Sequence, residues 1–276
     1  EGGTQSLNSK STAKNTHIYS GGTQIVDNTS TSDVIEVYSG GVLDVSGGTA
    51  TNVTQHDGAI LKTNTNGTTV SGTNSEGAFS IHNHVADNVL LENGGHLDIN
   101  AYGSANKTII KDKGTMSVLT NAKADATRID NGGVMDVAGH ATNTIINGGT
   151  GTNINSVTQN IKSGGKADTT IISSGSRQVV EKDGTAIGSN ISAGGSLIVY
   201  TGGIAHGVNQ ETGSALVANT GAGTDIEGYN KLSHFTITGG EANYVVLENT
   251  GELTVVAKTS AKNTTVDAGG KLIVQK

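Results

Sequence analysis

Residues 39–53 read SGGVLDVSGGTATNV, and this stretch decides the fold. Leu43 and Val45 lie two residues apart with Asp44 between them, and a glycine pair stands on each side of this run. Alternation with a period of two is typical of a half-buried β-strand, and glycine pairs favour turns. The stretch therefore predicts short strands joined by glycine turns.

The same unit recurs along the chain. A glycine pair, or a degenerate form of it, begins near Gly2, Gly21, Gly40, Gly58, Gly77, Gly94, Lys113, Gly132, Gly148, Ser156, Gly175, Gly194, Gly213, Ser233, Thr250 and Gly269. Most steps are 19 residues long, and a few are from 16 to 20. The exception is the 8-residue step between Gly148 and Ser156, which predicts an irregular coil near 148–156.

Each unit also contains a second extended pattern, Ala-x-x-Thr-x-Ile, as in Ala105, Thr108 and Ile110. Two or three short strands per unit, repeated at this length, are typical of one coil of a β-solenoid. Stacked coils pair their backbones about 4.8 Å apart, so stability accumulates over many neighbours. We predict an all-β, parallel β-helix of about 14 coils over residues 1–276, and chain crossovers favour a right-handed one.

Composition agrees with a thin, repeated core. The 276 residues include 41 glycines, no proline, no cysteine and no tryptophan, and only 3% are aromatic. Too few large apolar side chains are present for one thick core. The formal net charge of −7 argues against nucleic acid as a partner, because phosphate binding needs a basic face. The absence of cysteine excludes disulfides and cysteine metal sites, and no apolar run is long enough to cross a membrane.

The sequence also contains a second repeat that is longer than one coil. Residues 77–81, ending in Phe79-Ser80-Ile81, lead to the run Val-Leu-Leu-Glu-Asn-Gly at 89–94. The same pattern returns 156 residues later, where residues 233–237, which contain Phe235, lead to Val-Leu-Glu-Asn-Thr at 246–250. We predict that a block of several coils was duplicated.

Three stretches carry a family resemblance: residues 20–24 (SGGTQ), 39–53 and 86–95 (ADNVLLENGG). Together with the repeat they resemble the self-associating autotransporter adhesins. This is the family of the adhesin involved in diffuse adherence, and within it the chain most resembles the glycosylated adhesin TibA. The resemblance covers essentially the whole chain. It implies one β-helix segment of a longer passenger domain.

The resemblance also implies a function. Passengers of this family are held on the bacterial surface by an outer-membrane translocator domain, with release as an alternative. They mediate self-association between neighbouring cells, biofilm formation and attachment to host-cell surfaces. A heptosyltransferase modifies serines in some members. We therefore expect the partners to be a second copy of the chain, a heptosyltransferase and the host-cell surface.

Five serines precede a glycine at a predicted turn: Ser20, Ser39, Ser46, Ser163 and Ser174. A hydroxyl beside a residue without a side chain is accessible to a transferase, so these are the candidate glycosylation sites. The simpler explanation is that serine suits turns. The resemblance to glycosylated adhesins favours modification.

Catalysis is the main alternative, because many β-helices are polysaccharide lyases or hydrolases. Such enzymes need clustered carboxylates. Asp44, Asp98 and Asp136 share one repeat position, but their coils are not adjacent. His82 and His84 form the one close histidine pair, which is weak evidence for a metal site. We predict no catalytic residue, no metal and no cofactor. A regular Thr-x-Thr array for ice binding is also lacking.

Tyr19 and Tyr38 lie one repeat apart and should stack on one another, whereas Tyr200 is in a separate coil. A structural ladder is the favoured interpretation, and a sugar-binding platform is the alternative.

Two interior ladders follow from the repeat. Alignment on the glycines puts Gln5, Gln24, Gln159 and Gln178 where other coils have Leu43, Leu97, Met116 and Leu197. The four glutamines form two pairs in adjacent coils, so their amides can hydrogen bond at strand spacing. Thr108, Thr127 and Thr144 should form a similar inward ladder on the second strand. Solvent-facing glutamines would mean that every inside and outside assignment is inverted.

Overall fold

In the computed structural model, residues 2–148 and 157–276 are described, and this part of the chain contains strands and turns but no helix. The fold is a β-solenoid of about 14 turns, with parallel strands about 19 residues apart. The strands are β1 (Thr4–Leu7), β2 (Thr12–Ile18), β3 (Thr23–Asp27), β4 (Thr31–Val37), β5 (Val42–Ser46), β6 (Thr49–Gln55), β7 (Ile60–Asn64), β8 (Thr69–Asn74), β9 (Gly77–His82), β10 (Val85–Asp87), β11 (Leu90–Leu91), β12 (His96–Ile99), β13 (Ser104–Asn106), β14 (Ile109–Ile110), β15 (Thr115–Val118), β16 (Lys123–Asp125), β17 (Arg128–Ile129), β18 (Val134–Val137), β19 (His140–Ile146), β20 (Val157–Ile161), β21 (Lys166–Ile172), β22 (Ser176–Val180), β23 (Thr185–Ile191), β24 (Ser196–Val199), β25 (Ile204–Gln210), β26 (Ala215–Asn219), β27 (Asp225–Tyr229), β28 (His234–Thr238), β29 (Glu241–Asn243), β30 (Val246–Leu247), β31 (Glu252–Val255), β32 (Ser260–Lys262), β33 (Thr265–Val266) and β34 (Lys271–Val274).

Contacts divide the chain into two compact units, residues 1–128 with 133–135 and residues 129–132 with 136–276. In the first unit, β1, β3, β5, β7, β12 and β15 lie side by side in one parallel sheet. In the second unit, β20, β22, β24, β26, β31 and β34 do the same. We call these strands the first sheet of each unit. The irregular coil predicted near 148–156 lies, except for Gly148, outside the described residues.

In most coils the other strand is bent by one residue in the left-handed conformation. In β6 this residue is Asn52 at φ 52°, and in β19 it is Asn143 at φ 53°. Asparagine and glycine tolerate that conformation better than other residues do. The position follows the Ala-x pattern of the sequence, as in Ala50-Thr51-Asn52. The bend lets one strand form two short segments, and in the coil of β10 and β11 these segments are separate strands.

Within the described residues, each unit contains one reversal of strand direction. In the first, β8 pairs antiparallel with β9, which pairs antiparallel with β10. In the second, β27, β28 and β29 repeat this arrangement. Residues 156 apart occupy equivalent places, since Phe79 opposes Gly72 and Phe235 opposes Gly228. The duplicated block predicted from the sequence is therefore a duplicated strand reversal.

The reversals correct two steps of the predicted repeat. Gly77 and Ser233 do not begin coils, because Gly77 is the first residue of the antiparallel strand β9 and Ser233 directly precedes the antiparallel strand β28. The first sheet passes directly from β7 to β12 and from β26 to β31. A two-residue turn with positive φ follows each reversed strand, Asn83-His84 in one unit and Gly239-Gly240 in the other. Such turns match the twist of antiparallel strands. The spacing of the glycine pairs along the sequence does not show that one strand between them runs antiparallel to its neighbours.

A buried glutamate holds each reversal to the coil before it. Glu92 is 3% exposed, and one of its carboxylate oxygens accepts a hydrogen bond from the Gly58 amide at 2.6 Å. Glu248 is 7% exposed and accepts from the Gly213 amide at 2.9 Å. Lysine pairs with each, Lys111 in the first unit at 3.2 Å. The Leu-Glu-Asn run of both blocks therefore has a structural role.

The core of each unit is thin. Inward positions of the first sheet bear fully buried apolar side chains such as Leu43, Leu97 and Leu197, while the neighbouring Asp44 and Asp98 are half-buried and point outward. The described part of the chain includes no helix long and apolar enough to cross a membrane.

Candidate functional site

All five candidate serines are exposed; four lie in turns, and Ser46 is the last residue of β5. Ser20, Ser39 and Ser174 stand where the chain enters the first sheet, directly before a glycine with positive φ. Ser46 and Ser163 stand where the chain leaves the first sheet, also before such a glycine. The serines therefore lie at the two ends of the strands of the first sheet. All five hydroxyls are open to a modifying enzyme.

Three of these serines cover a glycine of the next coil. The Oγ atom would lie within 2.7 Å of a Cβ atom added to that glycine. The pairs are Ser20 with Gly40, Ser39 with Gly58 and Ser174 with Gly194. A side chain at the glycine would displace the serine. Each hydroxyl therefore rests on bare backbone and has open space on its outer side.

The structure places the four candidate glutamines in two adjacent-coil pairs. Gln24 Nε2 donates to Gln5 Oε1 at 2.7 Å, and Gln178 Nε2 donates to Gln159 Oε1 at 2.8 Å. Gln24, Gln159 and Gln178 are fully buried, whereas Gln5 is exposed. The amides run in one direction, so each amide donates to the coil before it.

Hydroxyls of the other strands complete this network, and the sequence analysis missed them. Gln178 Nε2 also donates to Thr170 Oγ1 at 3.0 Å, and Ser189 Oγ donates to Gln178 Oε1 at 2.6 Å. Around Gln24, Thr16 Oγ1 accepts and Ser32 Oγ donates, both at 3.1 Å. The signal was a hydroxyl residue eight places before each of these glutamines and a second one eight or eleven places after it.

The three candidate threonines are buried but are not equivalent to one another. Thr144 Oγ1 accepts a hydrogen bond from Gln159 Nε2 at 3.0 Å. Within the described ranges, the hydroxyls of Thr108 and Thr127 have no hydrogen-bond partner. Leu97 and Met116 occupy the glutamine position of those coils and offer no polar atom. These two threonines fill space without joining a polar network.

Stacked rings cover one edge of the first unit. The Tyr19 and Tyr38 ring centroids are 4.8 Å apart at an interplanar angle of 8°, and Tyr38 and His56 are 4.7 Å apart at 9°. Desolvation, followed by the nearby Glu36 charge, raises the pKa of Tyr38. Parallel stacking covers both ring faces of Tyr38, whereas Tyr19, at the end of the stack, is 63% exposed. Tyr200 is exposed and belongs to the other unit.

The candidate acids and histidines lie apart from one another. Asp98 Oδ1 is 2.9 Å from His96 Nε2, and Asp136 Oδ1 accepts from Asn160 Nδ2 at 2.8 Å. His82 ends β9 and His84 lies in the turn after it, both exposed. No group of three or more histidines or carboxylates that could hold a metal exists among the described residues.

Comparisons with known proteins agree with this geometry. The model of a family described as adhesin of bacterial autotransporter system, probable stalk, matches residues 71–133 and 227–276, which contain most of each reversal. Over these two stretches the chain matches the stalk repeat of the autotransporter adhesins. A curated relative, the probable autotransporter YpjA of Escherichia coli (strain K12), is 95% identical over 290 residues and 99% of this chain. The chain spans 18% of that relative's length.

A solved structure shares the adhesin fold. The crystal structure of a hyper-glycosylated TibA fragment, residues 55–350, whose glycosylation TibC catalysed, aligns with a TM-score of 0.53 at 26% identity. The alignment covers 99% of this chain and 92% of the fragment. Autotransporter passengers are outer-membrane anchored at the bacterial cell surface, and that is where this adhesin segment lies.

Proposed function

We propose that this adhesin segment mediates self-association between bacterial cells, contributes to biofilm formation and host-cell attachment, and accepts heptose on its turn serines. The observation that carries the proposal is the stalk repeat itself, which presents the same side-chain positions on coil after coil. The proposal assigns no catalytic residue to the segment.

Cross-coil polar pairs support self-association. In the second unit, Asn209 Nδ2 donates to Asn190 Oδ1 at 3.0 Å, and Lys262 Nζ lies 2.7 Å from Glu241 Oε2. An amide in such a pair uses only part of its hydrogen-bonding capacity. The remaining donors and acceptors are exposed at coil spacing and suit the same array on another copy. Each contact is weak, and repetition adds avidity.

A mixed aggregation assay tests this part of the proposal. Cells displaying the whole protein are mixed with labelled cells that display it or lack it, and co-aggregation is counted. We expect only displaying cells to join aggregates. Alanine replacement of the outward polar residues of one whole face, over several coils, should weaken aggregation. If such replacement on every face in turn leaves aggregation intact, self-association through the polar faces is wrong.

Exposed serines over glycines support glycosylation, as does the hyper-glycosylated TibA fragment with the same fold. A sugar at Ser20, Ser39 or Ser174 would extend away from the core. Ser32, which is fully buried, offers a matched position where a sugar could not fit.

Intact-mass spectrometry with and without a co-expressed heptosyltransferase tests this modification. We expect mass increments in multiples of one heptose, and fewer increments when the five turn serines are replaced by alanine. The Ser32→Ala variant should keep the full increment. Identical masses with and without the enzyme contradict the proposal for this segment, and sugar found only on threonine or asparagine contradicts the serine assignment.

A further inference from the structure

The two strand reversals share one backbone arrangement but not one surface. Asn74 Nδ2 donates to the Asn88 carbonyl at 3.1 Å, and the equivalent Asn230 Nδ2 donates to the Tyr244 carbonyl at 2.8 Å. The reversed strands each bury a phenylalanine. The first reversal therefore shows which side chains this backbone needs.

At four surface positions the second reversal has an aromatic or large apolar side chain where the first has a smaller or polar one. The first has Thr73, Glu76, Ala78 and Asn88 where the second has Tyr229, Leu232, His234 and Tyr244. The first reversal folds with small or polar residues at these positions, so the fold does not require aromatic ones. We call residues Tyr229, Leu232, His234 and Tyr244 the aromatic patch. Folding therefore does not explain why these four positions have aromatic or large apolar side chains.

The rings of the aromatic patch are available to a ligand. Tyr229 is 63% exposed and Tyr244 is 49% exposed. The Tyr229 and His234 rings meet at 64° with centroids 5.1 Å apart, so at least one face of Tyr229 stays free. The ring of Tyr38, by contrast, is stacked on both faces, between Tyr19 and His56. Among the described residues, neither patch phenol makes a hydrogen bond.

The charges around the patch are already paired. Glu227 accepts the Gly207 amide at 2.7 Å and lies 3.2 Å from His234 Nε2. Lys231 Nζ lies 2.8 Å from Glu248 Oε2 and 2.5 Å from Asp267 Oδ2. A charged ligand would have to displace one of these partners. The surroundings therefore favour a ligand without charge.

We propose that the aromatic patch binds a neutral pyranose of a cell-surface glycan. A pyranose presents apolar C–H groups on its faces and hydroxyls around its edge. Aromatic rings with a free phenol hydroxyl match both, because each ring is apolar in body and polar at one end. A second copy of the chain is a poorer occupant, since four side chains are far fewer than the roughly 20–30 residues per partner of a standard protein interface.

This inference rests on the attachment part of the proposed function, to which it adds a ligand class. The variant that tests it combines Tyr229→Thr with Tyr244→Asn, the residues that the first reversal has at these positions. The control combines Tyr19→Thr with Tyr200→Thr, which removes two exposed tyrosines outside the patch. Circular dichroism and thermal melting establish that both variants keep the fold.

Binding is measured on an array of neutral oligosaccharides ending in glucose, galactose, mannose or N-acetylglucosamine, with sialylated oligosaccharides for comparison. Titration calorimetry then follows with the neutral oligosaccharide that binds best. We expect the patch variant to lose at least about tenfold in affinity and the control to match the parent. As a gain of function, Thr73→Tyr with Ala78→His and Asn88→Tyr should raise the number of bound sugars from one to two.

Three outcomes overturn the inference. They are no binding of any neutral oligosaccharide by the folded chain, binding of sialylated oligosaccharides alone, and equal binding by the patch variant. Cell aggregation distinguishes these results from failure of the proposed function, because we expect the patch variant to aggregate normally. Sedimentation that shows the patch variant losing dimers, with unchanged sugar binding, assigns the patch to a second copy instead.

Discussion

At the residue scale, the buried glutamines are the most unusual feature of the core. An unpaired amide in an apolar interior is costly, and pairing removes most of that cost. Gln178 is fully buried and has partners on both its nitrogen and its oxygen. The partners come from the coil before and from the other strand of its own coil. The polar network therefore specifies how neighbouring coils align.

Replacing Gln178 by leucine, the residue of several other coils, should destabilise the chain by about 1–3 kcal/mol because Gln159 and Ser189 lose a buried partner. The double variant with Gln159→Leu should cost less than the sum of the two single changes, since both amides leave together. Urea unfolding measures both, and Gln275→Leu at an exposed position serves as control. Strict additivity would contradict a coupled network.

Asp168 predicts a dependence of stability on pH. Partial burial raises the pKa of Asp168, but hydrogen bonds from Lys166 Nζ and His140 Nε2 outweigh it, and the net pKa lies below the usual value of 3.8. Because the folded pKa is the lower one, the stabilisation is present above pH 3.8 and is lost as the pH falls through the folded pKa.

The variant Asp168→Asn should therefore be less stable than the parent at pH 7, by less than about 1 kcal/mol for a partly exposed pair. The unfolding free energies of the two proteins should converge as the pH falls below the pKa of a free carboxyl group. Urea midpoints at pH 7, 4 and 3 measure this difference. Lys166→Met should show a smaller pH dependence than the parent. A difference that stays constant down to pH 3 would rule out this carboxylate as the cause.

At the scale of elements, the reversal depends on close approach between neighbouring strands. An added Cβ on Gly72 in β8 would fall inside van der Waals contact of the Val53 carbonyl in β6, and Gly228 stands in the same relation to Val208. The parallel register shifts at both places. Glycine lets the backbone leave the regular ladder there and start the reversed strand.

Gly72→Ala should destabilise the first unit by about 1–3 kcal/mol or more, because the backbone must move to admit the methyl group. Gly3→Ala is the matched control in the same unit, since a Cβ there meets no described atom within 4 Å. Thermal melting compares the two variants. Equal melting temperatures would show that the reversal tolerates a side chain at this approach.

At the scale of the whole molecule, duplication has put the same reversal into each unit. The buried glutamates Glu92 and Glu248, the donors Asn74 and Asn230 and the close glycines all recur 156 residues apart. The recurrence separates what the fold needs from what varies. Each unit buries only a few apolar side chains per coil, so stability is a sum over neighbouring coils.

Net charge should control association between whole copies. Two chains with a formal charge of −7 repel each other at low ionic strength. Salt at about 0.15 M shortens the screening length to about 8 Å and should strengthen association that rests on neutral hydrogen bonds. Analytical ultracentrifugation between about 0.02 and 0.15 M salt measures this change. Association that weakens steadily with salt would instead indicate contacts between opposite charges.

The sequence by itself determined the solenoid, the length of its coils and which side of each strand faces inward. Period-two alternation and glycine pairs act locally, so they can be read without knowing the neighbouring coil. Leu43 and Gln24 occupy the same repeat position and are both buried, as the register pairs them across adjacent strands. The Phe-containing duplicated block was also visible in the sequence.

Only the tertiary structure decided the direction of β9 and β28, the partners of the buried hydroxyls and the contrast between the ring clusters. Strand direction depends on a two-residue turn, which leaves the 19-residue spacing almost unchanged. Thr127 and Thr144 look alike in sequence, but only Thr144 has a glutamine within reach. Tyr38 is stacked and Tyr229 has a free face because of which side chains the neighbouring strands bring beside them. Contacts between distant residues, which no local pattern encodes, made these distinctions.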